Sequence, residues 1–147
     1  MGRKTALVTG ASHGIGRAIA LGLAAKGYAL GINYFRSEKN ALEVCEQIKN
    51  SGGSAIPLKA DVSNLAALRE MFKQFFKEFS TIDLMVNNAG VSEFYPFLEV
   101  TEEQWEKITF TDWKSTFFGT QIAAQNMVEN KKQGLIINIS SNHADGC

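Results

Sequence analysis

The chain has 147 residues, 45% of them hydrophobic, and its 15 lysines and arginines balance its 15 aspartates and glutamates. This length predicts a single domain with a substantial core, while the balanced charge and the lack of a bilayer-long apolar run give no indication of a nucleic-acid or membrane partner. The two cysteines, Cys45 and Cys147, form no metal-ligand spacing with His13 and His143, so we expect no metal site and a reduced, cytoplasmic protein.

A glycine-rich turn lies between the first predicted strand, residues 4–8, and the first predicted helix. Its glycines have the spacing G-x-x-x-G-x-G, at Gly10, Gly14 and Gly16. Gly10 permits a tight turn, Gly14 lets the backbone approach a ligand, and Gly16 lets helix and strand pack closely. Unpaired N–H groups and the helix dipole favour an anion at such a helix start. The turn therefore predicts a diphosphate site, with an ordinary glycine-rich connection as the alternative.

The second strand and the second helix are predicted next. The run at residues 28–33 is mostly apolar, as a strand buried on both faces should be, and turn residues begin at Tyr34. Ser37 is the predicted N-cap of the following helix, and Gly52 and Gly53 end that helix. We expect its buried side to consist of Leu42, Val44, Cys45 and Ile48.

A third strand is predicted at residues 54–59, and a third helix follows Ser63, which we interpret as its N-cap. One stripe of that helix carries Leu68, Phe72, Phe75 and Phe79. Because helical stripes of this kind usually face the core, core packing is favoured over an aromatic ligand site.

The remaining elements continue the alternation of strands and helices. A strand at residues 82–86 leads into a polar turn, residues 87–90. Residues 101–104 have the form of a capping box that opens one long helix, and a buried fifth strand is predicted at residues 135–139. This alternation predicts an α/β fold in which helices cover both faces of a parallel sheet.

Four short motifs occur at the ends of these strands, namely residues 9–16, Asp61-Val62, Asn87-Asn88-Ala89-Gly90 and Ile139-Ser140-Ser141. With these motifs the chain resembles the short-chain dehydrogenase/reductase family, and within it the branch of 3-oxoacyl-carrier-protein reductases and glucose dehydrogenases. The resemblance implies a doubly wound, Rossmann-type parallel sheet in the order 3-2-1-4-5, without the family's later strands and helices.

The same resemblance implies that residues 1–147 form a dinucleotide-binding domain that is C-terminally incomplete. The implied activity is that of an oxidoreductase, which transfers a hydride between a nicotinamide cofactor and a small alcohol or carbonyl substrate. Members of the family are often homo-oligomers, so a homo-oligomer is the expected assembly.

The resemblance assigns most of the matched residues to the cofactor, at the carboxyl ends of the strands where open parallel sheets bind ligands. Asp61 would accept a hydrogen bond from the adenine amino group, with Val62 against the ring, and the alternative for Asp61 is a helix-entry turn residue. Residues 88–90 would lie against the ribose. The cofactor-binding residues expected at these turns are Gly10, Ser12, His13, Gly14, Ile15, Gly16, Asp61, Val62, Asn88, Ala89 and Gly90.

The end of the second strand bears on the choice between NAD and NADP. An acidic residue there binds the ribose 2′-hydroxyl of NAD, whereas a basic residue accommodates the 2′-phosphate of NADP. Tyr34 occupies the acidic position and Arg36 and Ser37 follow, so NADP is favoured over NAD. His13 lies where many NADP-preferring relatives carry a basic residue. The alternative for Arg36 is a solvated turn residue.

The resemblance also assigns catalytic residues. Ser141 matches the family's serine, which hydrogen-bonds the substrate oxygen, and the alternatives are Ser140 in that role or a plain turn serine. Asp112 stands where the family has an asparagine whose main chain helps to hold a water. The family's general acid/base is the tyrosine of a Y-x-x-x-K pair after the fifth strand, and none of the 3 tyrosines here has a lysine four residues later. The alternative function is therefore a non-catalytic NAD(P)-binding module.

Overall fold

A parallel sheet forms the centre of the computed structural model, which describes residues 2–141. Its strands are β1 (Thr5–Val8), β2 (Ala29–Tyr34), β3 (Ser54–Lys59), β4 (Leu84–Asn87) and β5 (Leu135–Asn138). The 5-stranded sheet has the order β3-β2-β1-β4-β5 and every pair is parallel, which confirms the predicted fold class and strand order. β1, β2 and β4 are buried along their whole length, as strands covered on both faces should be.

Helices lie between the strands in sequence. They are α1 (Gly14–Ala25), α2 (Glu38–Asn50), α3 (Leu65–Phe79), α4 (Glu102–Ile108) and α5 (Ser115–Glu129). The predicted capping box opens α4, since the Thr101 hydroxyl accepts from the Gln104 N–H at 3.3 Å and the Gln104 side chain accepts from the Thr101 N–H at 2.9 Å. A π-helical segment, Thr109–Lys114, joins α4 to α5. The predicted single long helix is therefore divided at this segment.

Each face of the sheet packs against its own pair of helices. One cluster of buried side chains joins the sheet to α1 and α2, and includes Ala20, Ala41, Val44 and Ile48. The other joins the sheet to α3 and α5, and includes Leu68, Phe72, Phe75, Ala123 and Met127, with Phe79 packed against it. The aromatic stripe of α3 is therefore core, as predicted.

Two local predictions are wrong. Leu42 is 45% exposed, because the buried positions of α2 are 41, 44, 45 and 48 and this helical spacing leaves position 42 outside. Asn64, and not Ser63, caps α3, since its side-chain oxygen accepts from the Ala67 N–H at 3.0 Å. The Ser63 hydroxyl donates instead to Asp61 Oδ1.

The fifth strand is more exposed than predicted. Within residues 2–141, Leu135 is 57% and Ile137 38% exposed, so the prediction of a buried strand is wrong for this part of the chain. The physical reason is that β5 is an edge strand, paired with β4 alone. Among the helices of the same described residues, none is long and apolar enough to cross a membrane.

Candidate functional site

A cleft with a volume of about 850 Å³, called the main cleft below, lies at the carboxyl end of the sheet. β1 is flanked there by β2 on one side and β4 on the other, so the chain order reverses at this point, which is where open parallel sheets bind ligands. The cleft is lined by Gly10, residues 12–16, 33–37, 60–63 and 88–91, and by Glu93, Lys107 and Thr111. Every residue that the sequence assigned to cofactor binding is in this set.

The glycine turn after β1 has the backbone conformation that its sequence predicts. Gly10 and Gly14 have φ values of +62° and +56°, in the left-handed region that favours glycine. A Cβ on Gly16 would lie 2.4 Å from the carbonyl oxygen of Gly10, so no larger residue fits without moving the turn. A Cβ on Gly14 would meet nothing within 4 Å. The backbone at Gly14 is therefore open to the cleft.

The start of α1, which follows this turn, lines the same cleft. His13 occupies the N-cap position without a side-chain capping bond, and no acidic residue lies in the first turn of α1. The first N–H groups of a helix have no intrahelical acceptor, and the helix dipole adds positive potential. His13 Nδ1 lies 2.9 Å from the hydroxyl of Ser12, which is itself buried. This end of α1 has the chemistry of an anion site.

The turn after β4 is bonded directly to the turn after β1. The Thr9 hydroxyl oxygen accepts from the N–H groups of Asn88 at 2.9 Å and Ala89 at 3.0 Å. The Asn88 side chain donates in return to the Thr9 carbonyl at 2.9 Å. These bonds fix residues 88–90 beside Gly10, where a Cβ would be 3.0 Å from the Ala89 Cα. Thr9 is a site residue that the sequence analysis did not assign.

At the end of β3, Asp61 forms a local turn. Its Oδ1 accepts from the Ser63 N–H at 3.0 Å and from the Ser63 hydroxyl at 2.6 Å. Val62, beside it, is buried against the core. Asp61 therefore acts as a turn residue, as the alternative predicted. Asp61 and Val62 also line the cleft, and their contact with adenine stays a prediction.

The end of β2 carries a basic group next to a helix start. Tyr34 is buried, and its hydroxyl donates to Glu38 Oε1 at 2.9 Å; burial, followed by the Glu38 carboxylate, raises the pKa of this tyrosine. The guanidinium of Arg36 lies 5.2 Å from the centre of the Phe35 ring and is exposed at the cleft. Ser37 is the N-cap of α2 and makes no side-chain capping bond. A cation and a helix N-terminus therefore occur at one end of the cleft.

Asp112 lies outside the main cleft, in the π-helical segment. Its Oδ1 accepts from the Val91 N–H at 2.8 Å, directly after the turn at residues 88–90. Burial raises the pKa of this carboxyl, against the opposing effect of the Val91 N–H. The Asp112 carbonyl accepts from the Thr116 hydroxyl at 2.7 Å. Asp112 also lines a second, smaller cavity of about 380 Å³ with aromatic side chains, including Tyr95, Trp105 and Trp113.

Ser141 follows β5, the neighbour of β4. The Asn87 side chain donates to Asn138 Oδ1 at 2.8 Å, and the Ile139 N–H donates to the Asn87 carbonyl at 2.9 Å. These bonds hold the end of β5 against the end of β4, so Ser141 lies beyond the same carboxyl end of the sheet as the cleft. Its role as a catalytic residue is not tested by this placement.

Eight cleft residues were not assigned from the sequence, namely Asn33, Phe35, Ala60, Ser63, Val91, Glu93, Lys107 and Thr111. For Asn33 a signal was present, because a polar residue in a buried apolar strand needs hydrogen-bond partners. Glu93, Lys107 and Thr111 reach the cleft through the packing of the loop before α4, of α4 itself and of the π-helical segment, which no local pattern indicates. Within residues 2–141 no group of three or more His, Cys, Asp or Glu side chains could hold a metal ion, and His143 and Cys147 lie outside the described residues.

Comparison with known proteins gives a consistent result. The model of the short chain dehydrogenase family matches residues 4–146. The 3-oxoacyl-[acyl-carrier-protein] reductase FabG of Staphylococcus aureus is 38% identical over 138 residues, which are 94% of this chain and 56% of that protein. The crystal structure of acetoin dehydrogenase from Enterobacter cloacae is 34% identical with a TM-score of 0.92, covering 97% of this chain and 56% of that chain.

A further similar structure is that of landomycin C-6 ketoreductase LanV with bound NADP and rabelomycin. It is 36% identical with a TM-score of 0.87, and the match covers 96% of this chain and 59% of that chain. This chain therefore spans somewhat more than half the length of the relatives it matches. Since the family match extends over almost every residue of the sequence, the chain belongs to the short chain dehydrogenase family.

Proposed function

We propose that the chain binds a nicotinamide dinucleotide, preferably NADP, and forms the coenzyme-binding part of an oxidoreductase that acts on a small alcohol or carbonyl compound. The observation that carries this proposal is the cleft itself. Every residue assigned to the cofactor from the sequence lines one volume of about 850 Å³ at the carboxyl end of the sheet. A cleft of this size and position is typical of a cofactor site.

The glycine turn fits a diphosphate. At Gly14 the backbone is open, with nothing within 4 Å of a Cβ position, so an anion can approach the N–H groups at the start of α1. No acidic residue in the first turn of that helix opposes the negative charge. We assign residues 12–16 to the contact with the diphosphate, and among them the side chain of Ile15 is exposed.

The turns after β3 and β4 fit the adenosine. Val62 offers an apolar surface to the ring, and the carboxylate of Asp61, whose Oδ1 is engaged by Ser63, has Oδ2 to accept from the amino group. Residues 88–90, which the Thr9 bonds fix beside Gly10, would contact a ribose of the coenzyme.

Arg36 and Ser37 support NADP over NAD. The end of β2 has Tyr34 where a carboxylate would repel a 2′-phosphate, and the Tyr34 hydroxyl bonds to Glu38. The exposed guanidinium of Arg36 supplies the positive group that a phosphate requires, whereas the first turn of α2 carries the carboxylate of Glu38. LanV, at 36% identity, is a family member whose structure contains NADP.

When bound, a nicotinamide coenzyme supplies or accepts the hydride. The chain's own residues would bind and orient the reactants. Ser141, beyond the end of β5, would hydrogen-bond the substrate oxygen, and Asp112 holds the residue after the 88–90 turn through its bond to Val91. A proton must also move to or from the substrate oxygen. No Y-x-x-x-K pair occurs in this sequence, so we assign the proton step to none of its tyrosines.

A second candidate is a non-catalytic module that binds NAD(P) without turning over a substrate. Coenzyme binding is common to both proposals. They differ in whether the chain oxidises NADPH in the presence of a carbonyl compound.

Isothermal titration of the chain with NADPH and with NADH tests the proposal. We expect NADPH to bind at least about tenfold more tightly, the value of one good charge-assisted contact. Absence of binding by either coenzyme would overturn the proposed function, and tighter binding of NADH would overturn only the NADP preference. Carbonyl-dependent loss of NADPH absorbance would then decide for the oxidoreductase over the non-catalytic module.

A further inference from the structure

Asn33 is a buried amide near the end of β2, in a strand that is otherwise mostly apolar. Its exposed fraction is 2%, and its neighbours Ile32 and Tyr34 are buried as well. A buried amide that lacked hydrogen-bond partners would be strongly unfavourable, so its contacts determine whether this residue is tolerated.

The side chain of Asn33 bonds to backbone groups on both sides of β2. Its Oδ1 accepts from the Gly10 N–H at 3.1 Å. Its Nδ2 donates towards the carbonyls of Leu58 and Ala60, each at 3.2 Å, and lies 3.4 Å from the Tyr34 carbonyl. The Asn33 backbone carbonyl accepts from the Ala11 N–H at 2.8 Å. One residue therefore connects the turn after β1 with the end of β3.

The chemistry of these partners requires an asparagine. The Gly10 N–H needs an acceptor, while the carbonyls need a donor, so the orientation of the amide is fixed. An ionised aspartate would keep the acceptor but place a second oxygen against the carbonyls of Leu58 and Ala60. A leucine of similar size would leave the Gly10 N–H without its partner.

We propose that Asn33 is a positioning residue that sets the spacing between the two turns that hold opposite parts of the dinucleotide. The inference depends on the proposed function. Gly10 begins the turn assigned to the diphosphate, and Ala60 directly precedes Asp61 and Val62, which are assigned to adenine. A ligand that reaches both turns gains from both contacts only if their spacing is already correct, because rearranging them would consume binding free energy.

A positioning role for Asn33 predicts a result that simple destabilisation of the fold would not produce. Replacement of Asn33 leaves the backbone bonds from the Ala11 N–H to the Asn33 carbonyl and from the Ala60 N–H to the Tyr34 carbonyl in place, but it removes the side-chain link between Gly10 and Ala60. The spacing of the two turns is then less well fixed, while each turn keeps its own ligand contacts. A dinucleotide, which spans both turns, should lose about tenfold to 100-fold in affinity, the usual effect of one or two hydrogen bonds at a buried polar group. Adenosine 2′-phosphate, which lacks the diphosphate, should lose no more than about threefold, since it spans only part of this distance.

The experiment compares the chain with Asn33→Leu and Asn33→Asp, and with Thr5→Val as the matched control. Thr5 is also buried in the sheet, and its hydroxyl donates to the Thr81 carbonyl at 2.6 Å, at the end of β1 away from the cleft. Thermal unfolding identifies a temperature at which every variant is folded. Binding of NADPH is then measured by calorimetry and binding of adenosine 2′-phosphate by NMR titration.

A selective loss of NADPH affinity in both Asn33 variants, with Thr5→Val unchanged in binding, supports the inference. Three outcomes would overturn it: NADPH affinity like that of the unmodified chain, equal losses for the two ligands, or the same loss in Thr5→Val. If the unmodified chain binds neither ligand, the proposed function itself fails, and this result is distinct from the other three.

Discussion

The two ends of the parallel sheet use polar side chains in different ways. At the amino end, the Thr5 N–H donates to Asp83 Oδ2 at 2.8 Å, the Thr5 hydroxyl lies 3.2 Å from the same oxygen, and Lys132 Nζ donates to Asp83 Oδ1 at 3.1 Å. At the carboxyl end, Thr9 and Asn88 bond the backbone of each other's turns. Polar groups at the first end satisfy one another, whereas those at the second end hold the turns that surround the cleft.

This difference teaches where stability and binding reside in the sheet. Thr5, Asp83 and Lys132 use their polar groups on one another, so their hydrogen bonds stabilise the strands and are not directed at a ligand. Side chains that satisfy turn backbone leave the N–H groups at the start of α1 facing the cleft. Substitutions at the amino end should therefore change the free energy of unfolding, and substitutions at the carboxyl end should change coenzyme affinity.

Gly14→Asp should give the largest change in binding. The substitution places a carboxylate where a diphosphate is proposed to bind, at a position with φ of +56° and open space around it. Repulsion between such charges in a partly solvated cleft corresponds to about a 100-fold loss of NADPH affinity. Gly14→Asn is the matched control, because asparagine also tolerates the left-handed region and carries no charge. Equal affinities for Gly14→Asp and the unmodified chain in a calorimetric titration would place the diphosphate elsewhere.

Gly16→Ala should weaken both folding and binding. The new methyl group would lie 2.4 Å from the Gly10 carbonyl oxygen and 2.5 Å from Asn88 Nδ2, so the turn must move. Overpacking of this kind costs about 1–3 kcal/mol of unfolding free energy. Gly22→Ala in the same helix meets nothing within 4 Å and should gain up to about 1 kcal/mol from helix propensity. Urea unfolding of both variants measures the contrast, and a stable Gly16→Ala would show that the contact is not tight.

Arg36→Ala should lower the affinity for NADPH more than the affinity for NADH. Loss of the guanidinium removes a partner of the 2′-phosphate, so NADPH affinity should fall about tenfold while NADH affinity stays nearly constant. Arg3→Ala is the control from the amino end, where the Arg3 guanidinium donates to the Gly52 carbonyl at 3.3 Å. Parallel titrations with both coenzymes make the measurement. Equal losses for NADPH and NADH would undo the NADP assignment, and no loss for either coenzyme would support the alternative that Arg36 is a solvated turn residue.

Asp83→Asn should affect stability without affecting binding. Burial acts to raise the pKa of Asp83, but hydrogen bonds from Thr5 and Lys132 outweigh it and the pKa is lowered. A lowered pKa means that the ionised form stabilises the fold above the ordinary aspartate pKa, and that this contribution is lost as the pH falls through the folded-state value. The variant should be less stable by about 1–2 kcal/mol at neutral pH.

Urea unfolding at neutral pH and at about pH 3, below the ordinary aspartate pKa, measures this difference. The gap between Asp83→Asn and the unmodified chain should narrow in acid, because Asp83 takes up a proton in the unfolded chain once the pH is below the ordinary aspartate pKa, and this proton uptake favours unfolding. A gap of constant size, or a loss of NADPH affinity, would contradict the separation of roles between the two ends of the sheet.

Much of the fold could be predicted from the sequence because its signals are local. Strand runs, the capping box at Thr101 and the stripe of α3 each depend on residues that are close together in the chain. The glycine turn was predictable for the same reason, since the φ values at Gly10 and Gly14 favour glycine. The exposure of β5 has no signal in its apolar run, and it follows only from the strand order implied by the resemblance, which puts the fifth strand at the edge of the sheet.

The remaining site residues depend on contacts between distant parts of the chain. Thr9 reaches Asn88, and Asn33 reaches Gly10 and Ala60, across neighbouring strands whose order the residues themselves do not give. The resemblance to the family supplied the strand order. It assigned Asp112 only by its match to the position of the family's asparagine, without indicating its contacts. The structure adds the bond from Val91 and the π-helical segment, neither of which has a local signal.

Asp112→Asn should have the smallest effect on stability and on NADPH affinity. It tests whether the negative charge of Asp112, at the carboxyl end of the sheet, contributes to either property. Burial raises the pKa of Asp112 against the opposing Val91 N–H, so the ionised form is disfavoured in the fold. A raised pKa means that stability is complete below the ordinary aspartate pKa and is lost as the pH rises through the folded-state value. Asparagine keeps an oxygen for the Val91 N–H and has no charge.

At neutral pH, Asp112→Asn should therefore be as stable as the unmodified chain or slightly more stable, by less than about 0.5 kcal/mol because solvent screens a group this exposed. The difference should disappear in acid, and NADPH affinity should not change. Asp112→Leu is the matched control, since it removes the acceptor at 2.8 Å from the Val91 N–H and should loosen the turn at residues 88–91. If Asp112→Asn instead loses as much coenzyme affinity as Asp112→Leu, then the negative charge, and not the hydrogen bond, is what this position contributes to the cleft.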